Sequence, residues 1–81
     1  MNKNIRVEYF AMLRERAGVE SETVQTLAAN AVELFDELNR RHGFQLSTKN
    51  LRVAVNDQMA SWQNALATGD TVVFIPPTAG G

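Results

Sequence analysis

Residues 30–42 constrain the architecture more than any other segment, because they form the clearest helix in the chain. Ala31, Leu34, Phe35 and Leu38 follow the i, i+3, i+4, i+7 spacing of a helix buried on one side. Asn30 is placed to cap the N-terminus, and Glu33 three residues later completes a capping-box-like pair. Asp36–Arg40 and Glu37–Arg41 are favourable i, i+4 pairs. Arg40, Arg41 and His42 put positive charge at the negative end of the helix dipole, and His42 reads as a solvent-exposed dipole partner. Gly43 supplies a left-handed C-cap, with Phe44 available to fold back on the last turn.

The segments around this helix alternate with period two. Ile5, Val7 and Tyr9 fall on one face of a strand over residues 5–11, with Arg6, Glu8 and Phe10 on the other. Met12–Ala17 is about one helical turn, stopped by Gly18, and Glu20–Leu27 reads as a polar edge strand. In Leu51–Asn56, Val53 and Val55 oppose Arg52 and Ala54. Asn56-Asp57 signals a turn into a short return strand over Met59–Ser61. Trp62–Leu66 is ambiguous. Thr68-Gly69-Asp70 is a second turn, and Thr71–Ile75 the last strand, with Val72 and Phe74 opposite Val73 and Ile75.

One helix cannot cover both sides of a sheet, so the expectation is a mixed sheet with the helix stripe across one face. The first two strands pair antiparallel, and the helix crosses over to the next long strand, where a parallel pairing is expected. This is an α+β, β-grasp (ubiquitin-like) arrangement. The domain is expected to span residues 1–75, with 76–81 as an extended, flexible tail.

Composition removes most catalytic options. An 81-residue chain leaves little room for both a core and a deep enclosed pocket. There is no cysteine, which excludes disulfides, thiolate metal sites and cysteine nucleophiles; the single histidine excludes a two-histidine metal site in one chain. A net charge of -1 gives no basic excess to attract nucleic acid or anionic lipid. No apolar run approaches the roughly 18 residues of a membrane span, and no signal-peptide core precedes the domain. A cytoplasmic location is expected. The carboxylates are scattered beside arginines, the hydroxyls lack a local base, and neither GxxxxGK[ST] nor GxGxxG occurs.

Two features stand above this background. The first is the terminal run Phe74-Ile75-Pro76-Pro77-Thr78-Ala79-Gly80-Gly81. The prolines favour an extended stalk, and beyond them every residue is small. Six residues at about 3.3 Å each reach roughly 20 Å, suited to insertion down a narrow channel of another protein. Glycine passes where a β-carbon would clash. The one reactive group so delivered is the carboxylate of Gly81. Adenylation with ATP would activate it to attack by a sulfur or nitrogen nucleophile, and attack by sulfur would give a thiocarboxylate. The second feature is apolar residues on what should be the wet sheet face. Phe10, Val73 and Ile75 point outward, joined by Ala54 and Met59, and a contiguous patch of this kind would dock a partner.

The run 74–81, the preceding Leu66-Ala67-Thr68-Gly69-Asp70, the segment Tyr9-Phe10-Ala11-Met12-Leu13-Arg14-Glu15 and the Ala54-Val55-Asn56 turn together resemble the small, sulfur-carrier subunits of molybdopterin synthase, within the ubiquitin-like sulfur carriers. The likeness spans essentially the whole chain. It implies that an activating enzyme adenylates Gly81 with ATP and that the adenylate becomes a thiocarboxylate. It implies transfer of that sulfur to cyclic pyranopterin monophosphate inside a large subunit, forming the molybdopterin dithiolene. The complex would be a heterotetramer of two small and two large subunits, with the pterin-binding and catalytic side chains on the large one. Carried over by position, Gly81 bears the sulfur, and Gly80, Ala79, Thr78, Pro77 and Pro76 form the inserted tail. Phe10, Met59, Ile75 and Arg14 match partner-contact positions, with Val73 added by the outward-face argument. The resemblance implies no cofactor or metal held by this chain alone.

Two rivals keep parts of this reading. A carrier for thiamin or another thiolated product would share the terminal chemistry and change the acceptor. A ubiquitin-like modifier would instead form isopeptide bonds, and a passive interaction module would need no free carboxylate.

Overall fold

A computed structural model describes residues 2–76. Seven elements and one 3-10 turn succeed one another: β1 (Lys3–Tyr9), α1 (Ala11–Ala17), β2 (Ser21–Thr26), α2 (Ala31–His42), the turn Thr48–Asn50, β3 (Arg52–Val55), β4 (Gln58–Ala60) and β5 (Thr71–Ile75). The five strands form one mixed sheet in the order β2-β1-β5-β3-β4. β1 pairs antiparallel with β2, as expected from the sequence. The parallel pairing is β1 with β5, which corrects the expectation that α2 leads into it. β3, the strand after α2, pairs antiparallel with both β4 and β5. The helix therefore delivers the chain to the far side of a gap that β5 later fills.

The α2 boundaries follow from its caps. The Asn30 side chain accepts the Glu33 N–H at 3.0 Å, and Glu33 Oε1 accepts the Ala29 N–H at 2.9 Å. The capping box is thus closed one residue further back than the usual pattern. Gly43 ends the helix at φ 66 and its N–H returns to the Asn39 carbonyl, a left-handed cap that a β-carbon disfavours. Glu37–Arg41 pairs at 3.2 Å. Among the described residues Asp36 and Arg40 form no such pair.

Ile5, Val7 and Tyr9 of β1, Val53 of β3, and Val72 and Phe74 of β5 are buried together with Leu13 of α1 and Ala31, Leu34, Phe35 and Leu38 of α2 in one core. Phe44 joins it, as its position after the cap predicts. Phe35 is the hub, with ring centroids 6.1 Å from Phe44, 5.1 Å from Phe74 and 5.8 Å from Trp62. Trp62 lies in the irregular segment after β4 and stacks on Phe74 at 5.9 Å.

Two turns meet where β3 ends and β5 begins. Asn56 and Asp57 both take positive φ, 52° and 69°, the geometry of a two-residue hairpin between β3 and β4. Asn56 Nδ2 donates to Asp70 at 2.9 Å, and Asn56 Oδ1 accepts the Thr71 N–H at 2.9 Å. The other Asp70 oxygen accepts the Ala67 N–H at 2.8 Å. The Thr68-Gly69-Asp70 turn is therefore a structural clamp that starts β5 in register.

Candidate functional site

The register of the sheet assembles the outward face. Ala54 pairs with Met59 on one side and Val73 on the other, and Val73 pairs with Glu8. One row up, Ile75 pairs with Arg52. Tyr9 pairs with Phe74, so the next residues on those parallel strands are Phe10 and Ile75. Phe10, Met59, Val73 and Ile75 thus border one surface rather than scattering over the molecule. The buried residues of both helices belong to the core on the opposite face, which leaves this surface free of α1 and α2.

Exposure separates the contributors. Phe10 is 51% exposed and Met59 is 59% exposed, which is high for side chains of their size. Phe10 lies just beyond β1 at the N-cap of α1 with extended backbone, and its carbonyl accepts N–H groups of Leu13 and Arg14. Val73 and Ile75 are partly exposed. Ala54 does face outward, but it is buried, because the larger Met59 and Val73 flank its short side chain in register. It is the floor of the patch and not part of its exposed surface. Arg14 is exposed on α1, four residues beyond Phe10, with its guanidinium 3.5 Å from Glu20. An exposed pair of this kind contributes little and leaves the cation available to a partner.

Of the tail positions, only Pro76 is described; Pro77, Thr78, Ala79, Gly80 and Gly81 lie outside the described residues. Pro76 follows Ile75 directly, so the tail departs from the edge of the apolar surface.

Two arrangements escape sequence reading. An open trough of about 850 Å³ adjoins the patch and shares Met59, Ile75 and Pro76 with it; Lys49, Arg52 and Trp62 also line it. On the core side, Tyr9, Glu22 and His42 converge. The Tyr9 hydroxyl donates to Glu22 Oε2 at 2.5 Å, and His42 Nε2 lies 2.7 Å from the same oxygen. The His42 side chain is only 15% exposed, which corrects its reading as a solvated dipole partner. Its ring packs edge-on to Tyr9 and against Phe44, which shields it from water. Burial pushes the Glu22 carboxyl up, but the hydrogen bonds from Tyr9 and His42, with the charges of His42 and Arg41, outweigh it and hold the group below its ordinary range. The members of this cluster satisfy one another. It reads as a structural clasp between β1, β2 and the end of α2.

Among the described residues no three His, Cys, Asp or Glu side chains are grouped to hold a metal ion. No helix there is long and apolar enough to cross a membrane.

The five-stranded sheet, the helix across one face and the apolar surface on the other define a β-grasp domain that presents its bare sheet face. The ThiS family matches residues 7–81, and the chain belongs to that family. Among curated relatives, the molybdopterin synthase sulfur carrier subunit of Escherichia coli K12 is 32% identical, covering 95% of this chain and 99% of that protein. The protein of the same name from Haemophilus influenzae is 29% identical with the same coverage. Among solved structures, a Pyrococcus furiosus protein provisionally assigned as molybdopterin converting factor subunit 1 superposes with a TM-score of 0.78 at 28% identity, covering 94% of this chain and 99% of that one. The Haloferax volcanii small archaeal modifier protein 1 superposes at 0.80 with 24% identity, covering 94% and 99%, a likeness of fold alone.

Proposed function

We propose that this chain is the sulfur-carrier subunit of a molybdopterin synthase. The observation that carries the reading is the 32% identity to a protein of that role over 99% of its length. The outward apolar surface supports it, because the tail leaves that surface at Pro76. The family match also extends through Gly81.

The chemistry then resides in one carboxyl group. An oxygen of the Gly81 carboxylate attacks the α-phosphorus of ATP on an activating enzyme, and pyrophosphate leaves. A sulfur nucleophile at the hydrosulfide level attacks the acyl carbon, and AMP leaves with one former carboxylate oxygen. The product is a thiocarboxylate. In the synthase the thiocarboxylate sulfur bonds to a side-chain carbon of cyclic pyranopterin monophosphate as a carbon–oxygen bond at that carbon breaks. Water then cleaves the resulting thioester, leaving the thiol on the pterin and the carboxylate on Gly81. A dithiolene needs two sulfurs, so the chain is recharged or a second copy serves. ATP is consumed on the activating partner, and no cofactor is held by this chain.

Side chains of the domain position this group and do not react. Phe10, Met59, Val73 and Ile75 dock the large subunit, desolvating apolar area at about 25 cal/mol per Å². Arg14 adds a charge at the rim. Pro76 and Pro77 stiffen the exit, and Thr78, Ala79, Gly80 and Gly81 are slender enough to enter a channel. Two small and two large subunits form the working complex, in the cytoplasm.

The test is reconstitution. Charged chain plus large subunit should convert the pyranopterin precursor to molybdopterin, and deletion of Gly81 should abolish conversion with the fold intact. Conversion by the deleted chain would refute the tail mechanism. A different thiolated product, with no molybdopterin, would move the chain to the rival carrier class.

A further inference from the structure

The trough beside the docking surface differs from it in charge. Its lining includes three large apolar side chains, Met59, Trp62 and Ile75, taken as its apolar floor, and two cations, Lys49 and Arg52. Both are exposed. Four arginine, lysine or histidine side chains among the described residues pair with carboxylates, namely Arg6, Arg14, Arg41 and His42. Lys49 and Arg52 are not among them, and among the described residues no acidic side chain lines the trough. An overall charge of -1 makes this local excess a property of the site and not of the molecule. Arg52 is held opposite Ile75 by the β3–β5 register, so its position relative to the floor is set by the sheet. Lys49 is set by the 3-10 turn Thr48–Asn50, which Ser47 caps by accepting the Lys49 N–H at 3.1 Å.

We infer that the trough receives an acidic segment of the large subunit, with an apolar side chain on the Met59–Trp62–Ile75 floor and carboxylates on Lys49 and Arg52. The charge calls for an anionic occupant, and the floor calls for an apolar anchor within the same short stretch. A free small anion would leave the floor wet, and an apolar segment would leave two cations facing a desolvated contact. Because Met59 and Ile75 belong to both surfaces, a partner seated on the apolar face already stands over the trough. Arg52 can engage a carboxylate through two parallel N–H donors, which fixes the register of the segment. The trough thus adds specificity and a charge-steered approach to the apolar contact.

The inference rests on the large-subunit reading, and the experiment separates the two. Affinity for the large subunit of the same source is measured by calorimetry at low and high salt for four chains: wild type, Phe10→Ala, Lys49→Glu/Arg52→Glu, and Lys49→Gln/Arg52→Gln. The neutral pair guards against misfolding of the reversed pair, and circular dichroism checks all four. The inference expects the reversed pair to bind at least about tenfold more weakly at low salt and to recover part of that loss at high salt, and the neutral pair to lose most of the salt dependence. If Phe10→Ala weakens binding while both double variants stay within about twofold of wild type, the trough is not a contact and the inference falls alone. If wild type does not bind, the large-subunit reading falls and takes the inference with it.

Discussion

The His42 imidazole lies 2.7 Å from the Glu22 carboxylate, tying the last turn of α2 to the start of β2. The same carboxylate oxygen accepts the Tyr9 hydroxyl. Stability should therefore depend on pH at both ends of the range. Glu22 is held below its ordinary range in the fold, so its contribution is present above the unfolded value and lost as pH falls through the folded one. Tyr9 is pushed far up, by burial first and then by its hydrogen bond and proximity to Glu22. Its contribution is complete below the unfolded value of about 10 and declines as pH rises beyond it. Urea titrations of wild type and Tyr9→Phe from neutral to alkaline pH should show wild type losing stability faster above about pH 10. Parallel curves would show that the hydroxyl is not held protonated by the fold.

Phe35 touches Phe44, Trp62 and Phe74, so Phe35→Ala removes the centre of the aromatic core. Chemical denaturation should show a loss of about 3–5 kcal/mol, a large share of the stability of a domain this small. A loss under about 1 kcal/mol would mean that the cluster does not hold α2 to the sheet.

Asn30→Ala deletes the acceptor for the Glu33 N–H. It should cost about 1 kcal/mol, and Asn30→Asp should recover most of it. Equal losses for both substitutions would place the effect outside the cap.

Phe10→Ala should separate binding from stability. With half its surface exposed, Phe10 should contribute within about 0.5 kcal/mol to folding. Truncation should nevertheless weaken large-subunit binding by about tenfold, as expected for an aromatic anchor. Unfolding of this variant would make Phe10 a core residue and overturn its assignment.

These expectations differ in how visible they are in the amino-acid sequence. The α2 stripe, its caps and the alternation of Ile5, Val7 and Tyr9 are local patterns, and the structure reproduces them within a residue or two. The outward face is legible for the same reason, since Val73 and Ile75 must oppose Val72 and Phe74 on a pleated strand. Pairing partners are a different matter. That β5 and not β3 lies parallel to β1 depends on a chain reversal no local period records. Ala54 follows its expected face yet is covered, because a methyl group is lower than the side chains of Met59 and Val73 beside it. His42 carries every mark of a surface dipole partner until Glu22, twenty residues earlier, is brought against it. The Lys49–Arg52 trough is hidden likewise, its cations and its floor coming from separate elements.

The central claim is that the working group of this chain is the carboxyl of Gly81. Intact mass spectrometry after incubation with ATP, the activating enzyme and a sulfur source tests it most directly. The expected result is a mass gain of one oxygen-to-sulfur exchange, localised to Gly81 by fragmentation and absent when Gly81 is deleted. An unchanged mass under conditions that charge an authentic carrier, or sulfur located anywhere else in the chain, would contradict it.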